Sequence, residues 1–375
     1  MTNNKIVLFV LLMSSCLLCC QSRQEHSFER KEISVNAYEL VIPHGDQLLS
    51  AVSYTFDKAG KDSIVLLDGA SKSFVIADTR KQEIVKSIDY EIEGPNFTDF
   101  PIFDLRWSKN HLFVLSKLYF SVYDTEGQVQ KRFALRDYEV LEPYFYHSFD
   151  IINDTYILLA TSAKSAVYSG FYPAPDNDFI FASLNLVNGD LKPLPIVSPA
   201  SALVSDSTRG YYNNFAEHIG HYNDSSIVYN FSYSSTIYKA SIKGFEEGVY
   251  KAKSQYTGMH RKPIAVNSTP KKYSEYVYSE QPNYTAFMFD EVTGWYARVH
   301  GQVKGGENPK NQQYLMVFDE EMNVVFETFI PFETRVMARG NVFSNGKVYL
   351  LRATPPTEDA YHFTVFDFNE ENIDK

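Results

Sequence analysis

The amino-acid sequence predicts an all-β fold: a six-bladed β-propeller whose last blade is completed by a strand from the N-terminus. After residue 30, runs of four to eight β-forming residues recur between turns rich in Asn, Asp, Gly and Pro, and no sustained helical period interrupts them. These runs group into units that repeat about every 58 residues. A period near 50 with four strands per unit is typical of propeller blades.

Composition and charge limit the classes of function. The 375-residue chain has 35 Lys and Arg against 46 Asp and Glu, a formal net charge of −11. Nucleic-acid binding needs a basic face that neutralises phosphates, so we expect no such partner. Hydrophobic residues at 44% and charged residues at 22% are typical of a globular chain and argue against disorder. We therefore expect a monomer with one large folded domain.

The first twenty residues have the pattern of an export signal. Lys5 precedes an uninterrupted apolar run from Ile6 to Met13, and the chain becomes polar at Gln21. This run is too short for a bilayer core of about 30 Å but fits a signal peptide. The apolar region ends in cysteine instead of an Ala-x-Ala site, and in this it resembles a bacterial lipobox. The resemblance implies that the thiol receives diacylglycerol.

Two cysteines compete for the lipid. Cys16 follows two small serines, whereas Cys20 has Leu17 at the preferred position and would leave a mature chain without further cysteine. An ordinary cleaved signal without lipid is the third possibility. We expect a signal over residues 1–20, a flexible tether over 21–36 and a propeller over 37–375. No cysteine follows Cys20, so the folded part has no disulfide and must be stabilised by its core.

The repeat is clearest at the third strand of each unit. Most of these strands end at an acid or an amide: Asp78, Asp124, Asn185, Asp319 and Asp367. Asp and Asn side chains accept hydrogen bonds from their own backbone, which suits a tight turn into the outer strand. The predicted blades cover residues 47–92, 97–136, 144–198, 212–257, 273–331 and 334–369.

The sixth unit is one strand short. It shows β-forming runs at 336–343, 347–352 and 362–368, so we expect the segment Ala37–Ile42 to supply its outer strand. Such closure removes a free sheet edge that would invite aggregation. The alternative is a pair of β-sandwich domains, which the regular repeat disfavours.

Two units carry a family resemblance. LLDGASKSFVIADTRKQEIVKSIDYEIEGP (66–95) and LMVFDEEMNVVFETFIPF (315–332), together with the lipobox, resemble uncharacterised Bacteroidetes lipoproteins with TolB-like six-bladed propellers. The resemblance covers nearly the whole mature chain, but its motifs reflect blade geometry and not chemistry. It implies a Gram-negative source and lipid anchoring in the cell envelope, at the outer membrane, facing the periplasm or the cell surface. The function of that family is unknown, so no catalytic residue is carried over.

Catalytic and metal-binding motifs are missing from the sequence. It lacks a Gly-x-Ser-x-Gly elbow, Gly-rich phosphate loops and His-Glu-x-x-His, so it predicts no catalytic residue, metal or cofactor. His218 and His221 form the one close histidine pair. On a strand their odd spacing would direct them to opposite faces, which favours solvated or structural roles over metal binding.

Paired carboxylates raise the possibility of a glycosidase, which needs two acids at a defined separation. The candidate pairs are Asp99 with Asp104 and Glu275 with Asp290, but nothing in the sequence distinguishes them from turn and surface acids. Asp150 and Asp154 are interpreted as turn formers.

Aromatic residues give the predicted recognition surface. Strands favour Tyr and Phe, and blades bury them, so most of the 57 aromatics should pack between sheets. Tyr, Trp and Arg are also enriched at recognition surfaces. The candidate ligand-binding residues, taken from blades 2 to 6, are Trp107, Tyr146, Tyr212, Trp295, Arg298 and Arg335.

Two functional hypotheses follow. The first is a lipid-anchored, non-enzymatic binding or scaffold propeller for a protein, peptide or glycan. The second is an envelope enzyme that acts on glycan or peptide through carboxylate and His groups in the central funnel. A central pocket with facing carboxylates or a His–carboxylate group would favour the enzyme, and a funnel lined by aromatics and Arg alone would favour binding.

Overall fold

A computed structural model of the chain shows the predicted architecture. The described residues are 35–45, 55–91, 93–138, 144–163, 171–172, 179–196, 210–213, 218–223, 225–232, 234–259, 264–265, 282–304, 310–331, 341–352 and 355–368. They form six four-stranded antiparallel sheets and one three-stranded sheet. Each four-stranded sheet is one blade, so the predicted all-β, six-bladed propeller is confirmed.

The first three blades follow one another along the chain. Blade 1 contains β2 (Phe56–Gly60), β3 (Ser63–Asp68), β4 (Ser73–Asp78) and β5 (Glu83–Asp89). Blade 2 contains β6 (Ile102–Ser108), β7 (His111–Ser116), β8 (Tyr119–Tyr123) and β9 (Val129–Ala134), followed by a short 3-10 helix at Leu135–Asp137. Blade 3 contains β10 (Tyr144–Ile151), β11 (Tyr156–Ala163), β13 (Phe181–Asn185) and β14 (Leu191–Pro193).

The last three blades complete the ring. Blade 4 contains β16 (His218–Asn223), β17 (Ser226–Phe231), β18 (Thr236–Ser241) and β19 (Glu246–Lys251). Blade 5 contains β21 (Pro282–Asp290), β22 (Trp295–Lys304), β23 (Lys310–Phe318) and β24 (Val324–Phe329). Blade 6 contains β25 (Asn341–Ser344), β26 (Lys347–Leu351), β27 (Ala360–Asp367) and, as its outer strand, β1 (Asn36–Pro43).

The first strands of the blades surround the propeller axis. Each contacts the first strand of the next blade, in the cyclic order β2, β6, β10, β16, β21, β25 and back to β2. Six hydrophobic clusters lie farther out, and each combines side chains of two adjacent blades. Apolar burial is the dominant stabilising term in folding, so the core of this protein is a set of six interfaces between blades.

The N-terminal strand belongs to the last blade. β1 pairs antiparallel with β27 from Asn36 opposite Asp367 to Pro43 opposite Ala360. Its side chains Leu40 and Ile42 are buried in the cluster between blades 6 and 1. The strand therefore covers the edge of β27 and adds apolar side chains to an interface of the ring.

The turn after the third strand confirms the role predicted for its acid or amide. The Oδ1 atom of Asp78 accepts hydrogen bonds from the backbone N–H groups of residues 80 and 81, both at 2.9 Å. Asp124, Asn185 and Asp319 do the same in blades 2, 3 and 5. In blade 6 the outer strand comes from the other end of the chain, and Asp367 instead pairs with Lys347 at 3.0 Å.

Three connections between strands form an extra sheet. It contains β12 (Phe171–Tyr172), β15 (Gly210–Asn213) and β20 (Ile264–Ala265). These strands precede β13, β16 and β21 in the chain. The predicted start of blade 4 at residue 212 is therefore wrong: residues 210–213 pair with β12 and β20, and blade 4 begins at His218. Within the described part of the chain, no helix is long and apolar enough to cross a membrane.

Replacing Ile42 by Ala should destabilise the whole propeller. Its side chain is fully buried between blades 6 and 1, and such truncations cost about 2–5 kcal/mol. Urea unfolding of the purified protein measures the effect. The matched control is Ala37→Ser on the exposed part of the same strand, which should change the free energy of unfolding by less than about 0.5 kcal/mol. Equal unfolding midpoints for I42A and the wild type would show that β1 contributes no stability to the ring.

Candidate functional site

A cavity of about 610 Å³ lies on the propeller axis. It is lined by residues from the first strands of all six blades and from the turns that follow several of them. Its size falls within the range of small-molecule sites, about 300–1,000 Å³. The polar residues nearest the strands are Asp57, Arg106, Asp150, His221 and Asn341.

Three aspartates of these first strands link neighbouring blades. The Oδ2 atom of Asp57 in blade 1 accepts a hydrogen bond from the backbone N–H of Trp107 in blade 2, at 2.9 Å. Asp104 in blade 2 accepts from the N–H of Phe149 in blade 3, at 3.2 Å. Asp150 in blade 3 accepts from the N–H of Tyr222 in blade 4, at 2.8 Å.

The same kind of link continues around the ring. The Nε2 atom of His221 lies 2.8 Å from the carbonyl oxygen of Phe287 in blade 5, to which it donates. Asp290 in blade 5 accepts from the N–H groups of Asn345 and Gly346 in blade 6, at 3.0 and 2.7 Å. The amide of Asn345 donates to the carbonyl oxygen of Lys61 in blade 1, at 3.0 Å.

The position of these first strands explains the links. A first strand pairs with the second strand of its own blade along one edge, and its other edge faces the axis. Backbone groups on that open edge would be buried without a partner, which is costly. In blades 2 to 5 a side chain from the preceding blade supplies a partner, so these polar residues around the axis have a structural role before any functional one.

Arg106 holds the charges together on the axis. Its guanidinium NH1 donates to Asp104 Oδ1 and to the carbonyl oxygen of Leu105, both at 2.9 Å. Burial alone would lower the pKa of Arg106, but the carboxylates of Asp104, Asp57 and Asp150 together raise it above its ordinary value. Arg106 therefore stays charged in a partly desolvated site.

Two carboxylates of the cavity have pKa values shifted in opposite directions. Burial raises the pKa of Asp57, and the charge of Arg106 offsets this only in part. Burial also acts to raise the pKa of Asp150, but the adjacent His221 imidazole and the Arg106 charge lower it below the ordinary value. At the same pH, Asp57 therefore holds a proton more readily than Asp150 does.

One ring nitrogen of His221 is hydrogen-bonded to the protein, and the other lies near an aspartate. Its Nε2 donates to the Phe287 carbonyl, and its Nδ1 lies 3.6 Å from Asp150 Oδ2. That separation is an ion-pair distance and exceeds a normal hydrogen bond. The hydrogen bond to Phe287 joins His221 to blade 5, whereas the side chain of His218 lies outside the described residues.

Three of the predicted recognition residues have side chains in the described part of the structure: Trp107, Trp295 and Arg298. Of these, Trp107 lines the cavity, and it is partly exposed. Trp295 is half-buried against the cluster between blades 5 and 6 and is not part of the lining. Tyr146 and Tyr212 lie on β10 and β15, but their side chains are outside the described part of the structure, as are Arg335, Cys16 and Cys20 altogether.

The structure corrects the prediction for Arg298. The side chain is fully buried between blades 4 and 5, where the guanidinium donates to the carbonyl oxygens of Ser235 at 2.7 Å and Ala252 at 2.9 Å. It lies 4.5 Å from the centre of the Tyr284 ring, and burial lowers the pKa of Arg298 to about 10. A guanidinium without solvent exposure joins two blades and does not contact a ligand.

The candidate acid pairs have structural partners. Asp99 accepts from Ser116 Oγ and from the N–H of Leu118, whereas Asp104 holds Arg106 and the next blade. Asp290 joins blades 5 and 6, and Glu275 lies outside the described residues.

The interpretation of Asp150 as a turn former is wrong. Asp150 lies inside β10, and the turn after that strand is built on Asn153, whose Oδ1 accepts from the N–H groups of residues 155 and 156. Asp154 is exposed in the same turn and pairs with Lys109 at 2.6 Å.

The sequence contains a signal for the acids that link neighbouring blades. Phe-Asp occurs in the first strand of four blades: Phe56-Asp57, Phe103-Asp104, Phe149-Asp150 and Phe289-Asp290. The same dipeptide also ends third strands, at Asp319 and Asp367. It therefore identifies the acids that link blades only after the strands are assigned.

Within the described ranges, no group of three His, Cys, Asp or Glu could hold a metal ion.

Comparisons with known proteins agree with this architecture. The profile of DUF4221, a domain of unknown function, matches residues 25–328. The chain is similar to a solved DUF4221 member from Bacteroides vulgatus, with 19% identity, a TM-score of 0.71, and coverage of 90% of this chain and 99% of that one. No curated protein sequence matches it.

Two further solved structures share the fold. One, from Bacteroides fragilis, is described as a candidate exported protein and has 10% identity, a TM-score of 0.56, and coverage of 91% of this chain and 99% of that one. The other, of unknown function, is from Bacteroides thetaiotaomicron and has 10% identity, a TM-score of 0.51, and coverage of 90% and 77%. At these identities the likeness shows the fold alone.

Variants of Asp57 should separate its charge from its hydrogen bond. Asn keeps an oxygen acceptor for the Trp107 N–H, whereas Ala leaves that N–H without its partner. We expect D57A to be less stable than D57N by about 1–3 kcal/mol in urea unfolding. Equal stability of the two variants would contradict the link between blades 1 and 2.

The same pair of proteins tests the pKa. The folded chain holds the Asp57 proton more tightly than the unfolded chain, because burial raises the folded pKa above the ordinary value of 3.8. The resulting stability is present below that ordinary value and is lost as pH rises through the folded pKa. D57N has no such proton, so it should gain stability relative to the wild type as pH rises from about 4 to about 7. A constant difference over this range would contradict the shift.

Proposed function

We propose that this chain, which belongs to the DUF4221 family, is an exported, non-enzymatic propeller that binds a small ligand or the end of a larger one in its axial cavity. The family has no known function, so the proposal rests on the cavity itself. The observation that carries it is the convergence of buried polar groups and partly exposed aromatics from different blades on one concave site. Such sites are the usual places of ligand recognition.

Binding is favoured over catalysis because the reactive groups already have structural partners. The Nε2 atom of His221 is occupied by the Phe287 carbonyl, and its Nδ1 is directed toward Asp150 within the protein. Both carboxylate oxygens of Asp104 accept hydrogen bonds from the protein. A general acid or base must reach the reacting atoms directly or through one water.

The second candidate is an enzyme, and two observations favour it: the cavity holds two carboxylates, and one of them, Asp150, lies 3.6 Å from the Nδ1 atom of His221. Asp57 and Asp150 line the same cavity, and their pKa values are shifted in opposite directions. Glycosidases use such a pair, with the protonated group as acid and the ionised group as base or nucleophile. Against this, each of the two carboxylates uses one oxygen to hold the next blade.

We also propose that the protein is anchored to the cell envelope by lipid on Cys20 or Cys16. The support is the apolar run that ends in cysteine before a polar segment. The description of the Bacteroides fragilis structure as a candidate exported protein is consistent with export of this chain. The propeller would then be displayed at the outer membrane, facing the periplasm or the cell surface.

Replacing both Cys16 and Cys20 by Ser should release the protein from membranes. One acyl chain gives only marginal anchoring, whereas a lipoprotein with several chains stays bound. Fractionation of cells followed by a carbonate wash measures the partition, with each single Cys→Ser variant as the control that identifies the acylated residue. A double variant that remains in the washed membranes would refute lipid anchoring.

A blocked cavity should abolish binding while single acid replacements should not. Ser108 lines the cavity, and Ser108→Trp would fill it, whereas Ser87→Trp adds the same ring to an exposed position of β5. Thermal shifts of each variant with a library of envelope oligosaccharides and peptides provide the measurement. We expect S87W to respond as the wild type does and S108W to show no response.

D57N and D150N separate the two candidate functions. The binding proposal expects each variant to retain part of its ligand response and of any cellular role, because binding energy is spread over several anchors. If one of them kept its melting curve and its ligand response but lost the cellular role, the enzyme would be favoured.

A further inference from the structure

The charges of the axial cavity alternate in sign. The Arg106 guanidinium, which pairs with Asp104 at 2.9 Å, lines the cavity together with the carboxylates of Asp57 and Asp150. At the mouth, Lys58 Nζ pairs with Glu291 Oε2 at 2.8 Å. Lys109 Nζ pairs with both carboxylate oxygens of Asp154, at 2.6 and 2.7 Å.

This alternation disfavours ligands with a net charge. An anionic ligand would meet the like charges of Asp57 and Asp150, and a cation attracted by these carboxylates would also approach Arg106 in the same partly desolvated site. A hydroxyl group can donate to a carboxylate and accept from a guanidinium or ammonium group. A neutral ligand with several hydroxyls can therefore satisfy both kinds of charge.

The apolar part of the lining suits the same ligand. Trp107 and Tyr156, from adjacent blades, both line the cavity, and Tyr156 is 40% exposed. The backbone of Trp107 is fixed by Asp57, and its ring packs against the cluster between blades 1 and 2. A ring held in this way offers a rigid apolar face beside charged hydrogen-bonding groups, and a sugar presents a C–H face beside its hydroxyls.

We propose that the axial cavity binds the end of a neutral saccharide, with Trp107 against the sugar ring and Asp57, Arg106 and Asp150 on its hydroxyls. This inference rests on the proposed binding function and names the ligand class. It departs from a peptide or protein ligand, whose charged side chains and termini would have to match the alternating charges one by one.

Tryptophan fluorescence gives a direct test. The chain has two tryptophans, so Trp295→Phe leaves Trp107 as the only indole. The purified W295F protein is titrated with neutral trisaccharides (maltotriose, xylotriose and chitotriose), with spermidine, with trigalacturonate and with a zwitterionic tripeptide. We expect a saturable change with at least one neutral trisaccharide. It should be insensitive to a rise in NaCl from about 0.05 to about 0.5 M.

Variants locate the response. The blocking substitution in the W295F protein is Ser108→Phe, because Ser108→Trp would introduce a second indole. We expect Ser108→Phe to remove the fluorescence response. The matched control is Ser87→Phe, which should leave the response unchanged. D150N should weaken the affinity by about tenfold or more, because a hydrogen bond to a charged group is lost.

The possible outcomes separate this inference from the proposal on which it rests. If only spermidine, trigalacturonate or the tripeptide produces a response that Ser108→Phe removes, the saccharide inference is wrong and binding in the cavity stands. A trisaccharide response that persists in Ser108→Phe would place the ligand elsewhere and contradict both. If no neutral trisaccharide produces a saturable change, the inference is wrong, and the envelope library decides the binding function.

Discussion

The open edge of the first strand is the constraint on which the rest of the structure depends. Six blades around an axis direct six such edges inward, and the backbone groups of each edge need hydrogen-bond partners. At four of the six boundaries a side chain of one blade bonds to the first strand of the next, and at three of these that side chain is the aspartate of a Phe-Asp pair. These hydrogen bonds fix the position of each blade relative to the next one, which apolar packing alone would leave less specific.

The same solution creates the chemical character of the cavity. The aspartates that accept hydrogen bonds from backbone N–H groups bring negative charge to the axis. The Arg106 guanidinium compensates part of this charge by pairing with Asp104 and by its attraction to Asp57 and Asp150. A buried ion pair is weak evidence for stability, because desolvation offsets the attraction. Its specific effect here is to keep cations and anions side by side where a ligand could contact both, so that the structural ring and the candidate site consist of the same residues.

The abundant aromatics have mainly a packing role. Rings fill the interfaces between blades, for example Phe120 against Phe149 and Phe181 against Tyr229. Between blades 4 and 5, Arg298 lies against Tyr284 and bonds to two carbonyl oxygens, so even this cation belongs to the interior. In a chain that has no cysteine after Cys20, these interfaces provide the stability that disulfides provide in many exported proteins.

The sequence by itself determined the fold class, the number of blades and the turn chemistry, because these depend on local properties: strand periodicity, the repeat length and the self-capping of Asp78 and its equivalents. Only the tertiary structure decided which polar residues meet on the axis. Asp57 and Trp107 are fifty residues apart in the chain, and their contact follows from the closure of the ring. An aspartate at a turn and one inside a first strand carry the same local signal, so the sequence alone predicts a turn at Asp150. It predicts a ligand-binding role for Arg298, because the burial of this guanidinium depends on carbonyl groups supplied by another blade.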